Sequence, residues 1–300
     1  MNKLKVLSLF SGIGAFEEGL ENVGIPYELI NYCEFNPMVA KAYSVVRDVP
    51  EDKNLGDITK VDEKLLENFD LMTYGFPCQD ISALGNMRGC FDENGNLTRS
   101  GLFYEAIRIA TEKKPKYMIA ENVKALTFSK HKDDFQGMIN TLNFIGYNTY
   151  YKILNAKDFG LPQSRPRIFL ISIRKDIDKG FKFPNPIKLN KKASDYYDNG
   201  YVGQEYYIGE NQMKYLSEFR IKKQYSSLNA DVIICQTTKQ GNLSNPQNFI
   251  KDEFGIRVMT PMELFALQGF KKEQAKRCLE NGLTKENLGY VSGNSIASLS

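Results

Sequence analysis

LKVLSLFSGIGAFEEGL, Leu4 to Leu20, decides how this chain is read. The apolar run Leu4–Phe10 contains no Gly or Pro and reads as a buried first strand. Gly12 and Gly14 then break it, and a helical pattern over 14–23 carries Glu17 and Glu18. The start superficially resembles a secretory leader, yet the glycines interrupt its apolar stretch early and the two glutamates follow at once. A strand, a glycine turn and a helix account for it better.

The same alternation continues outward. LKVLSLF, YELINYC, FDLMTYGF, KYMIAEN, YNTYYKIL and RIFLISI read as strands, several apolar on both faces. Helical patterns lie between them near 14–23, 36–46, 102–113 and 133–145, and Gly146 suits the end of the last. Strands alternating with helices predict an α/β fold with a doubly wound, mostly parallel sheet covered on both faces. Beyond residue 175 the texture changes to Asn, Tyr, Lys, Gly and Pro with weak periodicity. Residues 176–255 are therefore expected to form a smaller, irregular inserted domain within a large domain, 1–175, that the segment 256–300 completes. In that last segment Pro261 suits a first helical turn and Gly269 a stop.

Composition narrows the function. The chain of 300 residues has a net charge of only +3, but Arg174–Arg257 holds fourteen basic and ten acidic residues, which on charge alone suits a local anionic partner and a solvated lysine-rich surface equally. Its five cysteines lack the spacing of a disulfide framework or zinc site, which argues for a reducing compartment. With His131 as the sole histidine, most metal-hydrolase and Ser-His-Asp schemes lose their usual base. No apolar run reaches membrane-spanning length, so a soluble, cytoplasmic protein without a metal is expected.

In a doubly wound sheet the glycine turn lies at the carboxyl ends of the strands, where ligands bind. Gly12 and Gly14 permit close backbone approach, although the spacing is not GxGxxG. Glu34, ending the second strand, can accept both hydroxyls of a ribose, and Phe35 can stack on a purine. Asp57 of GDIT, placed after an expected third strand, can accept from an adenine amino group. Such a site suits an adenosine without a demanding phosphate tail, so S-adenosylmethionine fits and NAD is the runner-up.

GFPCQ places Cys78 at the end of an expected fourth strand, with Pro77 restricting the backbone that aims it. A lone cysteine is more often a small buried hydrophobe. However, a long polar segment follows it, and KYMIAENV ends with Glu121 on the same edge. In LPQSRPRIF, Arg165 and Arg167 lie two apart, so in an extended segment both point one way and can grip a phosphate or orient Glu121. Carbon 5 of cytosine is a poor nucleophile until a thiolate adds at C6. A carboxylic acid at N3 then stabilises the charge that develops.

Together these motifs resemble the DNA cytosine-5 methyltransferases, in order, through nearly the whole chain outside 176–255. FSGIGA is similar to the family's donor loop, GFPCQ to its nucleophile motif, ENV to its acid motif and QSRPR to its paired-arginine motif. RVMTPMELFALQGF is similar to the segment that seats the small domain, and GNSIA to the last donor-contacting motif. The resemblance implies an S-adenosylmethionine-dependent methyltransferase fold, with S-adenosylhomocysteine as product. It implies Cys78 as nucleophile, Glu121 at N3, and Arg165 and Arg167 as support. Phe10, Gly12, Ile13, Gly14, Glu34, Phe35, Asp57, Ile58, Pro77, Leu102, Asn294 and Ser295 would line the donor pocket. Gln79, Ser82 and Arg88 would lie near duplex DNA, whose target base is swung out of the helix, while the small domain reads the sequence. A cognate restriction endonuclease is a candidate companion, and a monomer is expected. In the family the GNSIA-like motif continues into a further helix, whereas this sequence stops at Ser300; a less braced donor pocket, a shortened sequence and a second chain that completes the fold are the three readings of that stop. Two alternatives stay open: cytosine-5 methylation of tRNA, and a DNA-binding relative with weakened catalysis.

Overall fold

A computed structural model describes residues 3–77, 100–210, 226–241 and 245–298. Its centre is a six-stranded sheet in the order β2-β1-β3-β4-β7-β5. The strands are β1 (Leu4–Leu9), β2 (Tyr27–Cys33), β3 (Leu71–Tyr74), β4 (Tyr117–Val123), β5 (Tyr147–Asn155) and β7 (Pro166–Arg174), with the two-residue β6 (Gln163–Ser164) lying outside the sheet. β2, β1, β3 and β4 run parallel, and only β7 opposes its neighbours. The reversal has a simple cause. β5 is followed by only a short link before β7, too short for the crossover that a parallel return needs.

Helices α1 (Ala15–Asn22), α2 (Pro37–Arg47), α3 (Phe103–Lys113) and α4 (Lys132–Phe144) cover the sheet. α3 and α4 bury Phe103, Ala106, Phe135 and Met138 against Leu7, Leu9, Met72 and Met118. On the other face α2 sets Ala40 and Tyr43 against Leu29 and Tyr32 of β2. All four residues of β3 are buried, which explains its unbroken apolar reading. Asn36 begins α2 by accepting from Met38 N at 3.0 Å, and Pro37 occupies its first turn.

One expected strand is absent. Residues 51–60 form two short 3-10 turns, Glu51–Lys53 and Ile58–Lys60, which pair with the sheet through one bridge between Tyr32 and Asn54 and are tied to β2 by Asn31 Nδ2 donating to Lys53 O and Lys53 Nζ donating to Leu29 O. Gly56, with φ +69°, turns the chain before a strand can extend. The strand leading to Gly75 is therefore the third, not the fourth.

The middle of the chain contributes β8 (Ser227–Leu228), β9 (Ile233–Ile234), β10 (Asn248–Lys251) and β11 (Ile256–Val258). β11, β10 and β8 form a small sheet, while β9 pairs with β6 and so reaches back beside the large sheet. Then come α5 (Pro261–Ala266), α6 (Lys272–Glu280) and α7 (Lys285–Asn294). Their residues Phe265, Ala275, Cys278, Leu288 and Val291 pack with Val39, Ala42 and Val46 of α2. Thr260 and Glu263 form a reciprocal cap at the start of α5.

Candidate active site

Strand register brings distant residues to one level. Leu9 pairs with Cys33 and with Tyr74, and Tyr74 pairs with Ala120. One residue further along, Phe10, Glu34, Gly75 and Glu121 therefore stand side by side at the carboxyl edge of the parallel strands.

The loop after β1 turns through positive φ at Phe10 (52°), Gly12 (55°) and Gly14 (81°), the last opening α1. Ser11 Oγ donates to Ser8 O at 2.8 Å and accepts from Cys33 N at 3.1 Å, which fixes the loop to β2. Gly12 N donates to Glu34 Oε2 at 3.1 Å, and Asn36 N donates to Glu34 Oε1 at 3.0 Å. Asn54 brackets the same residue, accepting from Glu34 N at 2.9 Å and donating to its carbonyl at 3.0 Å. Burial raises the Glu34 pKa, while the N–H groups of Asn36 and Gly12 oppose the rise. Each carboxylate oxygen keeps capacity for a further donor, as two ribose hydroxyls require. Phe35 beside it is 76% exposed, with its ring available for stacking.

Asp57 Oδ1 accepts from Thr59 N at 3.1 Å and Thr59 Oγ1 at 2.8 Å, and these bonds lower its pKa. The residue thus begins a short turn and remains ionised. Ile58 is buried, and Phe10 and Leu102 pack on the same cluster, whereas Ile13 lies in the cluster that joins α2 to the C-terminal helices.

Glu121 is 8% exposed, and Arg167 Nε lies 3.0 Å from its Oε1. Burial raises the Glu121 pKa against the pull of Arg167 and Arg165. Asn122 Nδ2 donates to Phe76 O at 3.1 Å and so ties the end of β4 to the segment after β3. A Cβ on Gly75 would sit 3.9 Å from Glu121 Oε2 and 3.6 Å from Ile296 Cδ1. The chain entering half-buried Pro77 therefore passes close to this carboxyl. Cys78, Gln79, Ser82 and Arg88 lie outside the described residues.

Arg165 and Arg167 have different partners although both approach Cys235 Sγ, at 3.1 and 3.8 Å. Arg165 also donates to Gln236 O at 2.8 Å, Gly293 O at 3.1 Å and Ser295 O. It thus joins β6, the segment after β9 and the end of α7. Ser295 is buried and Asn294 exposed. Asn54, Cys235 and Gln236 escaped the sequence reading as site residues because only tertiary contact reveals them; Asn122 was visible beside Glu121, and Ile296 within GNSIA. A cleft of about 380 Å³ between Tyr206, Met259 and Lys285 contains none of these candidates.

A Rossmann-like sheet with this edge defines a class, the adenosyl-donor methyltransferases, and the comparisons narrow it. The family described as C-5 cytosine-specific DNA methylase matches residues 4–298, and the chain belongs to that family. It is 33% identical over 275 residues to the orphan methyltransferase M.SPBetaI of Bacillus phage SPbeta, covering 73% of this chain and 62% of that protein. Against the orphan methyltransferase M.SssI of Spiroplasma monobiae it is 35% identical over 280 residues, covering 85% and 69%. The alignment to M.SPRI of Bacillus phage SPR spans only 40% of that relative. Among solved structures, Dnmt2 methyltransferase of S. pombe superposes with a TM-score of 0.78 at 22% identity, over 99% of this chain and 95% of that one. This last likeness concerns the fold.

Proposed function

We propose that the chain transfers a methyl group from S-adenosylmethionine to C5 of cytosine in a specific duplex DNA sequence. The observation that carries this reading is the single edge on which Phe10, Glu34, Gly75 and Glu121 align, with Arg167 paired to Glu121. The residues suit the donor: the space beside Gly12 is open, Glu34 has acceptor capacity, and the Phe35 ring is accessible. Gly12, Gly14, Glu34, Phe35, Asp57, Ile58, Leu102, Asn294 and Ser295 would hold it. When bound, it supplies an electrophilic methyl group.

In this reading the Cys78 thiol gives up its proton and the sulfur bonds to C6 of an extruded cytosine. Glu121, whose raised pKa favours the acid form, holds a proton at N3 while negative charge develops there. C5 then gains the methyl group, a base removes the C5 proton, and the C6–S bond breaks to restore the ring. Arg167 keeps Glu121 oriented, and Arg165 braces the wall beside it. Residues 1–175 and 256–300 would form the catalytic body and 176–255 the part that reads DNA, with Gln79, Ser82 and Arg88 near the duplex. The expected setting is the cytoplasm of a prokaryote or phage host, with or without a restriction endonuclease. No helix among the described residues is long and apolar enough to cross a membrane.

Bisulfite sequencing of mixed-sequence duplex DNA incubated with protein and donor tests activity and target together. Methylcytosine at one sequence is expected; its absence at every protein concentration contradicts the proposal. Parallel incubation with tRNA separates the reading from the tRNA-methylating branch of the family.

A further inference from the structure

Beneath the glycine loop lies a buried ionic chain. A Cβ on Gly14 would stand 2.5 Å from Arg47 Cδ and 2.9 Å from Arg47 Cγ, so the loop rests directly on the stem of that arginine. The Arg47 guanidinium bonds Glu18 Oε2 and lies 3.3 Å from Glu21 Oε1. Glu18 sits in the first turn of α1, and its backbone N–H donates to Gly14 O at 3.0 Å. The same Glu18 oxygen accepts from Gln274 Nε2 of α6 at 2.7 Å, across 256 residues of sequence. Glu18 is wholly buried, Gln274 is 4% exposed and Arg47 9%. The adjacent Glu17, also wholly buried, accepts from Tyr43 Oη at 2.9 Å.

Stability alone gives little reason for this arrangement, since packed apolar side chains of similar volume commonly do as well as a buried ion pair. What the ion pair adds is geometry. The loop is held from two sides, by Arg47 under Gly14 and by Glu34 accepting from Gly12 N. A shift of Gly14 would therefore disturb the carboxylate proposed for the ribose.

We infer that Glu18, Arg47 and Gln274 are positioning residues for the donor, making its affinity depend on how α6 is seated. This rests on the glycine loop being the donor site. Among the described residues the network's bonds run to α1, α2 and α6 and not to Glu121 or its arginines, so it is expected to act on binding rather than on chemistry.

Calorimetric titration with S-adenosylhomocysteine at 10 °C tests the inference on the full chain. Gln274→Leu removes the hydrogen bond to the Glu18 carboxylate and Glu18→Gln removes the charge that pairs with Arg47; each is expected to weaken binding about tenfold. Turnover at saturating donor should stay within about twofold, and hydrogen exchange at Gly12 and Gly14 should quicken. Gln274→Asn, which keeps the amide but draws it back, is the milder variant, and Arg47→Lys should retain more affinity than Arg47→Met. Folded variants that bind within twofold of wild type, with unchanged exchange at the loop, overturn the inference. A wild-type protein that binds no S-adenosylhomocysteine overturns instead the donor-site reading beneath it, and the two failures are told apart by which protein fails.

Discussion

At the scale of single residues, Glu121 carries the largest burden. It is a buried carboxyl whose pKa rises because desolvation outweighs two arginines. Glu121→Gln keeps the shape and loses the transferable proton, so single-turnover methylation should fall roughly a hundred- to ten-thousand-fold. Stability follows the opposite logic. A carboxyl raised in the folded state contributes stability that is complete below its unfolded pKa and is lost as pH climbs through the folded value. Denaturation of both proteins from acid to neutral pH should therefore show the Gln variant gaining on wild type as pH rises; a constant difference contradicts the assignment. The sequence disclosed Glu34 and Glu121 because each ends an apolar run. It could not disclose Asn54, which brackets Glu34 from a segment without strand pattern, nor the separate duties of Arg165 and Arg167. Their two-residue spacing fixes a common side but not the partners that tertiary packing supplies.

At the scale of elements, close approaches make specific glycines indispensable. A Cβ on Gly293 would lie 2.0 Å from both the carbonyl carbon and the oxygen of Thr237, so α7 meets the segment after β9 backbone to backbone. Gly293→Ala must push these apart, at a cost of about 1–3 kcal/mol, and should also weaken S-adenosylhomocysteine binding through Ser295; calorimetry and thermal unfolding measure both. The start of α5 is fixed by Arg257, whose Nη2 lies 2.7 Å from Glu263 Oε1 in a site where both side chains are almost wholly buried. Glu263→Ala leaves Arg257 with Asp252 as its remaining carboxylate, 3.0 Å from Nε, and its Nη2 donor unmet, and chemical denaturation should show a loss of about 1–3 kcal/mol. The period of apolar residues revealed six strands and four helices of the sheet body. It misplaced a strand before Asp57, where Gly56 turns the chain, and it could not foresee that a short connection reverses β7.

For the whole molecule, the middle of the chain gives up strong apolar patterning for polar and aromatic residues, and its described residues form short strands and turns. That is why its register with the body, through β6 and β9, was not legible in the sequence. If this part grips DNA phosphates with its lysines, the affinity for duplex DNA should fall steeply and log-linearly with salt; fluorescence anisotropy at several salt concentrations measures the slope. The most direct test of the account is intact-protein mass spectrometry after incubation with donor and a duplex carrying 5-fluorocytosine at the target, where the fluorine cannot leave as the C5 proton does. A covalent protein–DNA adduct that disappears in Cys78→Ser is the predicted result; methylation of ordinary DNA by Cys78→Ser at the wild-type rate, with no adduct in either protein, would contradict it.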